Sequence, residues 1–258
     1  MNRAVESPTL LDVLMRFGFT EVKAEIWARF VEEAIRLLDE AGRELRGADA
    51  WHTYVQKRGA LSQPKRKGKA HIHVPIEDGL TAELGHIARR LRAAVPLNHV
   101  LRLQEVVFET EHLIQSANRT GRHSRKVDFF IYSQLGTNAP EFAIEAKPLR
   151  SSADIRSRYL AEEGLGCFFA TDSVYTHQPV AGMLSYSLGE TPYSHLESLR
   201  TALEQLEPRP MATDQVDLSD PIRLICSRHE RAQLNLTPVT IVHFEMMFPV
   251  EVGTSAPA

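Results

Sequence analysis

EFAIEAK, at residues 141–147, carries apolar side chains at every second position. A period of two is the pattern of a β-strand, and it places Phe142 and Ile144 on the face opposite to Glu145 and Lys147. An acid and a lysine are therefore predicted to project together from one strand, at a spacing that lets both side chains reach the same site.

A second Glu-x-Lys triplet occurs at residues 21–23, but its surroundings differ. Apolar residues recur around it at helical spacing, so side chains two positions apart point about 200° away from each other. Glu21 and Lys23 are therefore predicted to be a surface pair that cannot share a site.

KVDFFIY, at residues 126–132, is the neighbouring strand-like segment, and Asp128 is a single acid inside it. Burying an uncompensated carboxylate is costly, so an acid in an apolar strand is expected to have a partner. If the two strands pair as neighbours, Asp128 and Glu145 offer oxygen ligands for Mg²⁺, with Lys147 beside the metal. From spacing alone, an ordinary strand-surface salt bridge of Lys147 with either acid is an open alternative.

A helix is predicted before these strands, at residues 75–94, with Leu80 and Leu84 in its buried stripe. Glu77 and Glu83 flank that stripe almost symmetrically, so either could reach the site, and either could equally be a solvated helix acid. Glu109 and Glu111 are two further acids whose common face the sequence does not orient.

The remaining periodicity predicts a mixed α/β fold, with a central mixed sheet flanked by helices and an N-terminal helical extension. In the long N-terminal helix the predicted buried stripe begins with Val22, Ile26, Phe30 and Ala34. The predicted organisation is a helical extension at 1–56, a basic loop at 57–74 and a core with C-terminal elaboration at 75–258. Helices are predicted at 8–18, 22–45, 75–94, 152–163 and 193–206, and strands at 100–108, 126–132, 141–147, 167–170, 183–188, 222–227 and 239–248.

Positive charge is unevenly distributed, although the net charge is only −3. Residues 57–73 contain six Lys/Arg and no acid, and residues 119–158 contain eight Lys/Arg against four acids. Such zones suit the phosphates of nucleic acid, whereas a solvated linker or solubilising arginines are the alternative. The candidate nucleic-acid-binding residues are Lys65, Arg66, Lys67, Arg119, Arg122, Arg125, Lys126 and Arg150.

Composition argues against secreted, membrane-spanning and disulfide-rich classes of protein. The sequence has 43% hydrophobic and 24% charged residues, without a signal-peptide pattern or an apolar run long enough to span a membrane, so a cytoplasmic protein is expected. Cys167 and Cys226 are too few for a disulfide framework and are expected to be buried thiols. Ser227, His229 and His243 could suggest acid–base chemistry, but their geometry is not fixed by the sequence.

The ordered set of a glutamate-bearing helix, an acid-rich strand, a Val-Asp strand and a strand ending Glu-Ala-Lys resembles the PD-(D/E)xK superfamily of restriction-endonuclease-like nucleases. The resemblance covers residues 76–188, and Val127 stands where the family has proline. EDGLTAEL, from Glu77, is similar to the first core helix and favours Glu77 over Glu83. RYLAEEGLGCFFA and GMLSYSL are similar to the elements that close the core after the Glu-x-Lys.

The resemblance implies a Mg²⁺-dependent DNA endonuclease, with Mn²⁺ able to substitute, and extends to a component of a defence or restriction system that acts on foreign DNA. Its implied catalytic residues are Lys147, Glu145, Asp128 and Glu77, the three acids being the metal ligands. The alternatives left open are a non-catalytic nucleic-acid-binding or assembly subunit of the same fold, and a nuclease that cleaves RNA. The N-terminal helices are candidate surfaces for docking a protein partner or a second copy of the chain.

Overall fold

The computed structural model describes residues 7–62, 75–114, 120, 123–136, 139–189, 192–219 and 222–249. The helices are α1 (Leu10–Arg16), α2 (Glu21–Leu45), α3 (Ala48–Val55), α4 (Glu77–Ala94), α5 (Val100–Leu103), α6 (Ser152–Asp154) and α7 (Leu196–Glu204). The strands are β1 (Val106–Leu113), β2 (Lys126–Ser133), β3 (Glu141–Leu149), β4 (Val180–Gly189), β5 (Ala212–Ser219), β6 (Ile222–His229) and β7 (Val239–Pro249). A π-helical turn (Ile155–Tyr159) and two 3-10 turns (Leu165–Phe168 and Ala232–Leu234) complete the described elements.

The seven strands form one mixed sheet in the order β1-β2-β3-β4-β7-β6-β5. Strands β3, β4 and β7 run parallel at its centre, and antiparallel pairs flank them on both sides. Parallel strands are normally covered on both faces, which explains why β3 and β4 are apolar over most of their length. The predicted α/β class is confirmed.

Helices α1 to α5 contribute to one continuous hydrophobic core on one face of the sheet. The long helix α2 buries Ala24, Trp27 and Val31, whereas Val22 and Ile26 are 68% and 46% exposed. The start of the predicted stripe was therefore wrong. A strict spacing of four residues drifts about 40° per step around a helix of 3.6 residues per turn, so the first members rotate out of the core.

The opposite face is covered by the segment that follows β3 and by α7. Tyr159, Phe168 and Leu203 are fully buried there against β4, β6 and β7 residues of a second hydrophobic cluster. Cys167 lies in this cluster and Cys226 in the first one, and both are buried free thiols as predicted.

Three predicted elements differ in the structure. Residues 100–103 form α5 instead of a strand, because the His99 side chain accepts a hydrogen bond from the Leu101 amide and starts a helical turn. The predicted helix at 152–163 is a short α-helix followed by the π-helical turn, and the predicted strand at 167–170 is largely a 3-10 turn. Short apolar runs are buried in either conformation, so their composition does not distinguish the two.

One helix and one strand lie where no element was predicted. Helix α3 is short, and strand β5 is a polar edge strand in which Val216 is the buried residue, so neither carries a long apolar pattern. The proposed domain limits stay a prediction. Among the described helices, none combines the length and apolar character that a membrane span requires.

Candidate metal centre

The site begins where the β2–β3 ladder ends. The last paired residues are Phe129 and Ile144, and the next residue on each strand towards the site is Asp128 and Glu145. Beyond this point β3 continues to pair with β4 as far as Leu149. Two acids from neighbouring strands therefore stand together at the end of their shared ladder.

Asp128 makes a side-chain hydrogen bond to β3 at the point where the backbone pairing of β2 and β3 ends. Its Oδ2 accepts a hydrogen bond of 2.7 Å from the backbone amide of Ala146 on β3. A side-chain carboxylate thus takes the place of a backbone acceptor, and the bond fixes Asp128 relative to Glu145 and Lys147, the two neighbours of Ala146.

Glu77 brings a third carboxylate from a distant part of the chain. It is the first residue of α4, where the helix dipole favours a negative charge, and α4 packs against β1, β2 and β3. Ligand oxygens of Glu77, Asp128 and Glu145 all lie within 4.8 Å of one another. A helix and two strands therefore assemble a group of three acids.

Lys147 connects two of these three acids. Its Nζ donates hydrogen bonds to Glu77 Oε1 at 2.7 Å, Glu145 Oε1 at 2.5 Å and the Ala146 carbonyl at 3.0 Å. The Glu145 side chain is 6% exposed and that of Lys147 is 14% exposed. One ammonium group thus bridges the helix acid and the strand acid inside the protein.

Burial has a strong effect on the acids. It raises the pKa of Asp128 to about 6, against the opposing effects of Lys147 and the Ala146 amide. Burial, reinforced by the charge of Asp128, also raises the pKa of Glu145 well above its usual range. For Lys147, burial alone would lower the pKa, but Glu145, Glu77 and Asp128 together outweigh it and keep the pKa above the ordinary value.

The donor set fits a hard divalent cation. Three carboxylates face a single ammonium group, and Glu145 Oε2 is buried without a hydrogen-bond partner among the described residues. An unpartnered buried carboxylate oxygen is unfavourable, and oxygen-rich groups of this kind suit Mg²⁺ or Mn²⁺. Glu77, Asp128 and Glu145 are the residues that would hold such an ion.

The other candidate acids make different contacts. Glu83 pairs with Lys57 at 2.7 Å, so its position on α4 directs it to the basic segment after α3. Glu111 pairs with Lys126 at 3.2 Å, and Glu109 contacts His112 and Tyr132.

Three of the predicted nucleic-acid-binding cations can be located. Arg125 lies 3.6 Å from Asp172, Lys126 pairs with Glu111, and Arg150 is exposed directly after β3. All three are within a few residues of Asp128 or Lys147 in the sequence. Lys65, Arg66, Lys67, Arg119 and Arg122 lie outside the described residues.

Ser227, His229 and His243 do come together, but inside the protein. Ser227 Oγ lies 2.8 Å from His229 Nε2 and 2.7 Å from His243 Nε2, and Tyr159 OH lies 3.2 Å from His243 Nδ1. Burial lowers the pKa of His229 to about 4 and that of His243 to about 3, so both rings are neutral near pH 7. The cluster is a buried hydrogen-bond network joining β6, β7 and the π-helical turn.

Sequence reasoning missed the residues that hold Glu77 in place. Thr81, one helical turn after Glu77, and Tyr186 on β4 are both buried and share a hydrogen bond. A threonine between Leu80 and Leu84 was a visible polar signal inside an apolar stripe, but its partner is 105 positions away and could not be identified from one sequence.

No protein-family model matches this chain, and neither a curated protein nor a solved structure matches it.

Proposed function

We propose that this protein is a divalent-metal-dependent nuclease with a restriction-endonuclease-like core, and that it hydrolyses phosphodiester bonds in nucleic acid, DNA rather than RNA. The observation that carries the proposal is that ligand oxygens of Glu77, Asp128 and Glu145 lie within 4.8 Å of one another, while the ammonium group of Lys147 binds two of these acids, Glu77 and Glu145.

Each residue has a role in this proposal. Glu77, Asp128 and Glu145 would bind Mg²⁺, with Mn²⁺ able to substitute. When bound, the ion would polarise a phosphoryl oxygen and lower the pKa of a coordinated water. Lys147 supplies a positive charge that can orient the attacking water or offset the negative charge that develops on the phosphate.

The order of elements supports the same proposal. Helix α4 with its acid is followed by β1, by β2 with Asp128, by β3 with the Glu-x-Lys and by a crossover to the parallel strand β4. This is the order on which the resemblance to restriction-endonuclease-like nucleases is based.

An ordinary structural salt bridge accounts less well for the site. One lysine needs one acid, whereas here three acids lie together beside Lys147 and one oxygen of Glu145 is left without a partner among the described residues. Burying excess like charge destabilises a fold, so a bound cation and a catalytic role give this arrangement a physical reason.

The proposal is tested by incubating supercoiled plasmid and a folded RNA separately with the protein and Mg²⁺ or Mn²⁺. We expect nicking of the plasmid that EDTA abolishes, and a loss of at least about a hundredfold in rate for Asp128→Asn and Lys147→Ala. Glu83→Gln, which changes an acid on the same helix that pairs with Lys57, should cleave like wild type.

Cleavage retained by both site variants would reject the site. Binding to DNA without cleavage by the wild-type protein, in either metal, would instead favour a non-catalytic subunit. Faster cleavage of RNA than of plasmid would reject the preference for DNA.

A further inference from the structure

A second feature of the sheet lies beside the acids, on β1 and β2. Tyr132, Phe130 and His112 form a continuous series of rings, which we call the ring ladder. The ring centroids of Tyr132 and Phe130 are 5.3 Å apart, and those of Phe130 and His112 are 4.3 Å apart with an interplanar angle of 15°. The ladder therefore ends in a nearly parallel stack.

The ring ladder shares strand β2 with the candidate metal centre. Phe130 is two residues and Tyr132 four residues from Asp128 along β2, at a rise of about 3.4 Å per residue. If one phosphate of a nucleic-acid strand lies at Asp128, the bases of the neighbouring nucleotides can lie along Phe130 and Tyr132.

The ladder is held by a carboxylate and by an unusual backbone conformation. Glu109 accepts a hydrogen bond of 2.9 Å from Tyr132 OH and lies 2.6 Å from His112 Nδ1. Residues three apart in a strand ordinarily point to opposite faces, but Glu111 between them has φ 52°, which lets Glu109 and His112 meet. A left-handed glutamate is strained, and strain of this kind tends to occur where a side chain is positioned for function.

The rings are also accessible. Phe129 and Ile131 on the opposite face are fully buried, whereas Phe130 and Tyr132 are only partly buried and the His112 side chain is 34% exposed. Phe130 also packs against the second hydrophobic cluster, so its ring has one side in the protein interior and is still only partly covered. The carboxylate of Glu109 lies beside the rings and disfavours a phosphate there. The bases of a nucleic acid are therefore the groups that fit against the rings.

We propose that the ring ladder stacks unpaired bases, so that the substrate of the proposed nuclease is single-stranded nucleic acid or a duplex with an unpaired segment next to the cut. That the bound nucleic acid is a substrate rests on the proposed function. That the rings bind unpaired bases does not depend on the proposed function. Stacking on aromatic rings tolerates every base, because each has a flat face, and bases inside an intact duplex do not offer theirs.

The test measures the binding of fluorescein-labelled oligonucleotides by fluorescence anisotropy in EDTA, where no metal-dependent cleavage occurs. We expect single strands to bind more tightly than a duplex of the same sequence, and His112→Ala and Phe130→Leu each to weaken single-strand binding about tenfold. Tyr193→Ala removes an exposed ring that lies tilted against His195 and should leave the affinity unchanged. Comparing DNA and RNA oligonucleotides of the same sequence shows which nucleic acid the protein binds more tightly.

Single-strand affinity that is no greater than duplex affinity, or that is unchanged in His112→Ala, would overturn the ring ladder as a binding site. His112 lies on an accessible edge, so this variant decides the matter even if Phe130→Leu does not fold. If binding depends on the rings but the protein cleaves neither plasmid nor single strands, the base-stacking inference stands and the nuclease proposal is rejected. If the protein shows metal-dependent cleavage but binding does not depend on the rings, the nuclease proposal stands and the base-stacking inference is rejected.

Discussion

The hydroxyl groups of Thr81 and Tyr186 lie 2.9 Å apart in the buried interior and join α4 to the central strand β4. Because Thr81 is one helical turn after Glu77, this bond fixes the end of α4 that brings Glu77 to Lys147. The three-acid site therefore depends on a polar contact that lies outside it.

Tyr186→Phe should lower the free energy of unfolding by about 1 to 3 kcal/mol, because it leaves the buried Thr81 hydroxyl without its partner. The double variant Thr81→Val with Tyr186→Phe should lose less than the sum of the two single variants, since it removes both polar groups together. Urea unfolding of the four proteins measures this coupling. Additive losses would show that the two hydroxyls do not interact.

The pKa of Asp128 predicts how the stability of the metal-free protein varies with pH. Since burial raises this pKa from 3.8 to about 6, the folded protein holds the proton to higher pH than the unfolded chain does. The free energy of unfolding should therefore fall as the pH rises through this range, by up to about 3 kcal/mol from Asp128. Glu145 acts in the same direction, because its pKa is also raised.

Asp128→Asn isolates this effect, because asparagine keeps an oxygen acceptor for the Ala146 amide but does not titrate. Urea unfolding in EDTA at pH 4.5 and pH 7.5 should show the variant gaining stability relative to wild type at the higher pH. The opposite trend, with wild type gaining more, would mean that Asp128 is stabilised as a carboxylate in the metal-free fold.

Metal binding should oppose that dependence. Mn²⁺ at about 100 times its dissociation constant should stabilise the protein by about 2.7 kcal/mol at pH 7.5, and much less at pH 5, where protons compete for the acids. Differential scanning calorimetry with and without EDTA would measure the shift. Glu145→Gln should lose it and Glu83→Gln should keep it, so equal shifts in the two variants would place the metal elsewhere.

The sequence predicted those parts of the site that depend on local patterns. Strand alternation placed Glu145 and Lys147 on one face, and a lone acid in an apolar strand singled out Asp128. The same kind of local pattern predicted the α/β class and most helices and strands.

The sequence could not predict features set by distant contacts or unusual backbone. Glu77 and Glu83 were equivalent on the helix stripe until the fold paired Lys57 with Glu83 and Lys147 with Glu77. The contact between Glu109 and His112 depends on the positive φ of Glu111, which no residue preference signals for a glutamate.

Gly85 on α4 is required for the close approach of this helix to β1. A Cβ at Gly85 would lie 2.1 Å from Thr110 Cγ2, so Gly85→Ala must either displace α4 from the sheet or turn the Thr110 side chain out of its place. We expect a loss of about 1 to 3 kcal/mol in the free energy of unfolding, although alanine is the better helix former, together with weaker Mn²⁺ binding because Glu77 moves with the helix. Adding Thr110→Ser, which removes the clashing methyl group, should restore much of both, with Thr110→Ser alone as the control. A Gly85→Ala protein with wild-type stability and metal affinity would show that the Thr110 side chain yields and that the position of α4 does not depend on Gly85.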